Sequence, residues 1–175
     1  MSKSSPQKDD DMNMRKDPFI SIIIPCYNVE KYIERCVDSI VSDPCDDFEI
    51  IIIDDCSTDG TREIIRSKSE KHSKISVIEM DENANAGVAR NAGIKHASGE
   101  YLWFVDGDDY VLPGSLRNMT HSLKQHSPDM YIFGYVFYFE KNDCHDKMIP
   151  RDYDVLNSLP AGMPLSQDDK NTLTW

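Results

Sequence analysis

The sequence predicts an α/β fold, Rossmann-like in layout: a mainly parallel central sheet with helices on both faces. Two observations carry that expectation. From Phe19 to Phe139, short apolar runs rich in β-branched residues alternate with segments of helical periodicity. That alternation gives parallel strands joined by helical crossovers. Carboxylates also recur where the second and fourth apolar runs end, and open α/β sheets place their ligands at the carboxyl ends of strands.

Residues 1–17 are polar, carry an Asp9-Asp10-Asp11 run and have almost nothing to bury; they read as a disordered tail. Phe19 to Ile24 reads as a buried strand that Pro25 ends. Cys26-Tyr27-Asn28 makes a turn, with Asn28 placed to cap a helix. On that helix Val29, Tyr32, Ile33, Cys36, Val37, Ile40 and Val41 form one apolar stripe, and Asp43-Pro44 closes it. Phe48 to Ile53 repeats the strand, with Asp54 and Asp55 at its carboxyl end. Cys56 to Thr61 is a polar turn, followed by a helix over 61–71 that carries Ile64 and Ile65 inward. A shorter third strand runs from Ile75 to Met80.

The next helix, over 87–97, has a small-residue face of Val88, Ala89, Ala92, Gly93 and Ala97 that permits close approach. Ser98-Gly99 ends it. Tyr101 to Val105 suits a strand buried on both faces of the sheet. Asp106-Gly107-Asp108-Asp109 follows at once. Pro113 favours the first turn of a helix on which Leu116, Met119 and Leu123 lie together. Met130 to Glu140, rich in Tyr and Phe, reads as a long fifth strand. Beyond Lys141 the chain is polar, with scattered prolines and no clear periodicity.

The 175 residues suffice for one sizeable core. A net charge of −12 and a pI near 4.7 leave no basic surface to neutralise nucleic-acid phosphates. Nucleic acid is therefore excluded as a partner, and any polyphosphate ligand must be held by a metal and a few local donors. No run reaches the roughly 18 apolar residues of a membrane span, and the N-terminus lacks the apolar core of a signal peptide. The expectation is a soluble, cytoplasmic chain. The five cysteines are odd in number and irregularly spaced, which predicts free thiols in a reducing compartment.

Asp106 and Asp108 flank a glycine that leaves room for close approach of a ligand or ion. Carboxylates crowded at one point repel one another, and a divalent cation relieves that repulsion. Hard oxygen ligands of this kind suit Mg²⁺ or Mn²⁺. The competing reading is a solvated acidic turn, but two acidic clusters along one rim argue against it. Neither a Gly-x-Gly-x-x-Gly nor a Gly-Lys-Ser/Thr loop follows the first strand, which sets aside dinucleotide and P-loop binding. A receiver-like signalling domain would use Asp54-Asp55 as a phosphorylation pocket but has no place for the second cluster.

Four segments together resemble the family 2 glycosyltransferases of GT-A (nucleotide-diphospho-sugar transferase) fold. They are Pro25-Cys26-Tyr27-Asn28, Asp54-Asp55-Cys56-Ser57-Thr58-Asp59, Ala89-Arg90-Asn91-Ala92-Gly93 and Asp106-Gly107-Asp108-Asp109. Order and spacing both fit, over roughly Phe19 to Gly134. The resemblance implies a nucleotide-sugar donor, a UDP-sugar. Pro25 and Tyr27 would line the nucleobase pocket, and Asp55 would accept a hydrogen bond from the base ring N–H. Asp106 would address the ribose, Asp108 would ligate Mn²⁺ or Mg²⁺, and Arg90 would balance charge at the donor site. Each role has a plainer competitor: Tyr27 as a core aromatic, Asp55 or Asp59 as a helix cap, Arg90 as a surface cation or ion-pair partner. Asn28, Ser57 and Asn91 read as turn and capping residues.

The same resemblance implies transfer with inversion to a carbohydrate or lipid-linked glycan, in polysaccharide or glycoconjugate synthesis. It places the protein in the cytoplasm or at the inner membrane face, with oligomerisation open. Two departures from the family pattern stand out. Where many members have Asn-x-Gly, this chain has Asn83-Ala84-Asn85, and an Asn can supply the left-handed backbone a Gly would favour. Inversion also needs a general base, which the family supplies from an Asp or Glu farther along; Asp168-Asp169 reads as a solvated run instead. The expectation is a base beyond Trp175, with 18–140 the nucleotide-sugar-binding domain and 141–175 the start of an acceptor-side segment, cut short. A non-catalytic nucleotide-sugar-binding module is the alternative.

Overall fold

The computed structural model describes residues 17–132 and the strand backbones at 137–139 and 144–146. The chain divides between Pro113 and Gly114 into two compact units. In the first unit the elements alternate: β1 (Ile20–Cys26), α1 (Ile33–Val41), β2 (Phe48–Asp54), α2 (Thr61–Lys71), β3 (Ile75–Glu79), α3 (Ala86–His96) and β4 (Tyr101–Phe104). The four strands form one parallel sheet in the order β3-β2-β1-β4. Right-handed crossovers put α1 and α2 on one face, because β1, β2 and β3 advance in one direction. The step from β3 to β4 reverses direction past two strands, so α3 lies on the other face.

The core follows from strand alternation. Ile23, Ile51 and Ile53 point to the α3 face and pack with Ala89, Ile78, Met80, Ala92 and Ala97. Ile22, Ile24, Ile50 and Ile52 point the other way and are fully buried as well, so both faces are covered. On the face carrying α1 and α2, Lys68 donates to Asp38 at 2.7 Å and pairs with Glu34 at 3.0 Å, which joins the two helices. The expected small-residue face of α3 is present at Ala89, Ala92, Gly93 and Ala97, but Val88 is exposed and does not belong to it. A Cβ added at Gly93 would come within 2.5 Å of Ile23 Cγ2 and 2.8 Å of Ile53 Cδ1.

Several expectations are corrected. Pro25 does not end the first strand but lies inside β1. Its carbonyl faces the β4 side and accepts the Gly107 N–H at 3.2 Å. The donor it lacks points to that same side, past the last β1–β4 pair at Ile23–Phe104, so no ladder bond is lost. Nor is β4 buried on both faces. Trp103 is buried, but Leu102 and Phe104 are each 41% exposed. Their register beside Ser21 and Ile23 puts them on the α3 face, and α3 packs over β1 and β2, leaving the outer strand less covered. Asn28 caps no helix: α1 begins at Ile33 with Tyr32 preceding it and no side-chain cap.

In the second unit, α4 (Ser115–His126) buries Leu116, Met119, Thr120 and Leu123 along one side. Pro113 stands outside this helix; Gly114, with φ 80°, is the residue that precedes its first turn. Of the expected long fifth strand, residues 133–136 and 140 lie outside the described residues. Residues 130–132 have no regular structure, and β5 (Phe137–Phe139) pairs antiparallel with β6 (Cys144–Asp146), where the sequence shows no periodicity. The tail of residues 1–16 and Asp168-Asp169 lie outside the described residues.

Candidate functional site

The carboxyl end of β1 organises the rim. The Asp55 N–H, just past β2, donates to Cys26 O at 2.9 Å, and the Gly107 N–H, just past β4, donates to Pro25 O at 3.2 Å. Both acidic segments are thereby pinned to the last residues of one strand. The reversal between β1 and β4 makes this edge the topological switch point, where sheets of this kind form a ligand crevice. Gly107 allows this close approach. A Cβ would stand 3.0 Å from Cys26 Cβ and 3.3 Å from Ile33 Cδ1 and Pro25 O, so its neighbours would have to give by a few tenths of an ångström.

Tyr27, immediately beyond β1, is 47% exposed, which removes its reading as a core aromatic. The chain then turns through Asn28 at φ 52°. The Asn28 side chain accepts from Thr58 N–H at 2.8 Å, and its own N–H donates to Ser57 Oγ at 3.0 Å. Asn28 and Ser57 therefore tie the β1 and β2 loops together. Asn91, by contrast, is exposed in the middle of α3 and is neither a turn nor a cap.

Asp55 is buried, at 3% exposure, and does not cap α2. No side chain caps that helix, which Gly60 precedes; Asp59 accepts the Thr61 N–H at 3.0 Å and the Glu30 N–H at 3.1 Å in the loop before it. The Asp55 carboxylate instead accepts the Ala84 N–H at 2.8 Å on one oxygen and the Asn85 N–H at 2.9 Å on the other. Asn83 Nδ2 donates to the Asp55 carbonyl at 3.1 Å. Each carboxylate oxygen keeps a second lone pair, so a further donor can still be accepted.

Asn85 carries the left-handed backbone expected of it, with φ 81° and ψ 159°, a region that is nearly glycine's alone. Its side chain accepts from Gly87 N–H at 3.0 Å and Val88 N–H at 3.3 Å, capping α3. Asn85→Ala keeps the strained backbone and loses the cap, and is expected to destabilise the fold by about 1–3 kcal/mol. Asn85→Gly relieves the strain and remains an acceptable cap, so its change is expected to stay under about 1 kcal/mol. Urea unfolding of the two variants measures the difference.

Arg90 pairs with Asp106, Nη2 to Oδ1 at 2.5 Å, with both side chains partly exposed. It is an ion-pair partner, and the partner belongs to the acidic turn. Asp108 is exposed and makes no ion pair among the described residues. Burial, and then the charges of Asp108 and Asp106, push the Asp109 carboxyl above its ordinary value. Burial and the same three aspartates push the Cys36 thiol up to about 12. Cys26 is also raised, by burial first and then by Asp54. Cys26, Cys36, Cys45 and Cys56 are free thiols, while the Cys144 side chain lies outside the described residues.

The turn fits a hard divalent cation. Negative charge is dense enough there to shift neighbouring groups, and its exposed donors are carboxylate oxygens. No group of three metal-binding side chains occurs among the described residues. Mg²⁺-type sites need none, because one or two carboxylates plus ligand phosphates and water complete the octahedron.

Two polar features go beyond the sequence reading. Asp54 is fully buried and accepts from Arg62 Nε at 2.6 Å and from Ser57 N–H at 3.1 Å. It braces the loop beside Asp55 from below. An eight-residue separation across a turn has no periodicity to betray such a pair. The other is Asn85 as both anchor and cap; its place directly before Ala86-Gly87-Val88-Ala89 was the available clue.

Residues 21–158 match the model of glycosyl transferase family 2. The uncharacterized glycosyltransferase EpsJ of Bacillus subtilis is 41% identical over 136 residues, covering 77% of this chain and 38% of its own length. Among solved structures, Staphylococcus aureus TarS 1–349 in complex with UDP superposes with a TM-score of 0.60 at 32% identity, covering 66% of this chain and 36% of that one. The same protein is also known in complex with UDP-GlcNAc. The mannosyltransferase PcManGT from Pyrobaculum calidifontis, in complex with GDP-Man and Mn²⁺, gives a TM-score of 0.56 at 30% identity over 62% of this chain and 33% of that one. The chain thus spans little more than a third of the length of these relatives.

Proposed function

The chain belongs to glycosyl transferase family 2, and from that premise we propose that the rim formed by the ends of β1, β2 and β4 binds a UDP-sugar for transfer with inversion. The observation that carries this reading is the pinning of Asp55 and Gly107 to adjacent carbonyls of β1. It brings the two acidic segments together at the switch point. TarS structures with UDP and UDP-GlcNAc support uridine as the nucleoside, and PcManGT with Mn²⁺ supports a divalent ion.

In this reading Tyr27 and Pro25 flank the uracil, and Asp55 accepts the ring N–H on a lone pair its backbone donors leave open. Asp106 addresses the ribose, and Asp108 is the direct ligand of Mn²⁺ or Mg²⁺. The ion supplies Lewis-acid stabilisation of the leaving nucleoside diphosphate. Arg90 keeps the turn's net charge low enough for an anionic donor to approach. The acceptor is a carbohydrate or lipid-linked glycan in polysaccharide or glycoconjugate synthesis, met in the cytoplasm or at the inner membrane face. No described helix is long and apolar enough to cross a membrane. Residues 18–140 form the donor-binding domain and 141–175 open the acceptor side; the general base is assigned to no described residue.

Calorimetric titration of UDP into the chain tests the proposal. Binding is expected with Mn²⁺ present and is expected to disappear when a chelator replaces it. Absence of binding by UDP with Mn²⁺ to the folded chain overturns the reading.

A further inference from the structure

We propose that Asn85, anchored by Asp55, is a positioning residue that acts through α3 and Arg90 to orient the Asp106 carboxylate. The inference rests on the donor-site reading for its functional meaning, but its geometry stands apart from any ligand.

The turn after β4 is well fixed in its backbone. Gly107 N–H bonds to β1, the Asp109 N–H donates to Asp106 O at 2.9 Å, and the Cys36 thiol donates to the same carbonyl at 3.6 Å. The Asp106 side chain is another matter. It is 50% exposed, and an exposed carboxylate without a partner samples several rotamers. What selects one is Arg90, a residue 16 positions earlier on a different element. An exposed ion pair between two mobile side chains contributes little, so the orientation is only as good as the placement of Arg90.

That placement is tightly held. At its start α3 is clamped by the Ala84 and Asn85 N–H groups on the buried Asp55 carboxylate, with the Asn85 side chain closing the first turn. In its middle, Ala89 is fully buried and Gly93 lies against Ile23 and Ile53 with no space for a Cβ. A helix gripped at both places can neither slide nor roll. Arg90 follows Ala89 directly, one residue into the second grip. The acidic end of β2 is thereby mechanically linked to the acidic end of β4: Asp55 to Asn85, α3 to Arg90, Arg90 to Asp106. Asn85→Ala keeps the backbone bonds to Asp55 but removes the side-chain bonds to the Gly87 and Val88 N–H groups and leaves a non-glycine residue at φ 81°; the first turn of α3 can then shift, and a shift of an ångström or so is enough to spoil a bonded geometry at its far partner. The strain in Asn85 fits this role, since a glycine-like backbone on a non-glycine residue persists only where its surroundings over-determine it.

A double-mutant cycle on the 175-residue chain tests the link, using Asn85→Ala, Arg90→Ala and the pair, with Asn85→Gly as the backbone-conserving control. Circular dichroism and thermal unfolding establish that each variant is folded at the measuring temperature. The first readout is the guanidinium ¹⁵N–¹H NMR signal of Arg90 without ligand, identified by its loss in Arg90→Ala. It is expected to be slowed by the Asp106 pair in the native chain and in Asn85→Gly, and averaged with the other arginines in Asn85→Ala. The second is UDP affinity with Mn²⁺. Each single alanine variant is expected to weaken binding by about tenfold, the double variant by no more than that, and Asn85→Gly by little. Losses that multiply to about a hundredfold, or an Arg90 signal unchanged in Asn85→Ala, overturn the proposal. If the native chain fails to bind UDP, the donor-site reading falls, while the ligand-free signal still decides the positioning.

Discussion

Asp108→Ala is expected to abolish Mn²⁺-dependent binding of UDP, a loss of at least about a hundredfold, while leaving stability equal or slightly higher. The two effects have opposite signs for a physical reason. Asp108 is exposed and makes no ion pair among the described residues, so truncating it removes no structural contact, and surface changes of that kind stay within about 0.5 kcal/mol. It does remove a charge that, after burial itself, is the largest cause of the raised Asp109 carboxyl. An acid whose folded pKa lies above its unfolded value makes the fold less stable as pH rises through the two, so easing that shift favours the fold at neutral pH. The binding loss follows from removing the only exposed, uncommitted carboxylate of the Asp106-Gly107-Asp108 motif, since Asp106 is held by Arg90. If Asp108 is the direct ligand, its loss takes with it the ion that would join the turn to the diphosphate, and a hundredfold loss corresponds to about 2.7 kcal/mol. Titration calorimetry and thermal unfolding on the same sample read both signs. A solvated turn with no ligand would show the small stability change alone.

Gly99→Ala is expected to give the largest loss of stability, about 3 kcal/mol, seen as a fall of roughly 10 °C in melting temperature. A Cβ at residue 99 would stand 2.6 Å from the Ser21 nitrogen and 2.8 Å from the Ile20 carbonyl carbon. Both are backbone atoms of β1, which is bonded to β2 on one side and β4 on the other and cannot retreat. The loop would have to move instead. That breaks the Gly99 N–H bond to Ser21 Oγ and the Ser98 N–H and Oγ bonds to Glu49, each 2.8 Å. Gly87→Ala is the control. Its Cβ would meet only the Asn85 side chain, at 3.2 Å, and helix propensity favours alanine. Its effect is expected to be small or stabilising.

The architecture was legible wherever burial imposed a long pattern. The isoleucine runs of β1 and β2 are covered on both faces, so they are continuous and unmistakable, and α2 begins and ends where its periodicity does. Legibility failed where neighbours rather than local sequence decide. Tyr101 to Phe104 reads like a central strand, yet its burial depends on where α3 lies, and α3 sits over β1 and β2. The pairing of residues 137–139 with 144–146 joins a run read as a strand to one with no periodicity of its own. The site divides in the same way. Asp55, Asp106 and Asp108 could be picked out as candidates because strand ends and paired motifs mark them, and their roles are what the titration of UDP tests. The bonds of Asp55 to Ala84 and Asn85 could not, since they join loops nearly thirty residues apart. Arg90 was recognised as a charge near the site, but its pairing with Asp106 depends on how α3 crosses the sheet.

The most direct test is a crystal structure of the chain grown with UDP and Mn²⁺, with anomalous scattering recorded to locate the manganese. A manganese peak is expected in coordinating contact with the Asp108 carboxylate and the diphosphate oxygens, with the uracil between Tyr27 and Asp55. A manganese peak away from Asp108, or UDP lodged anywhere other than the rim of β1, β2 and β4, would contradict the donor-site reading.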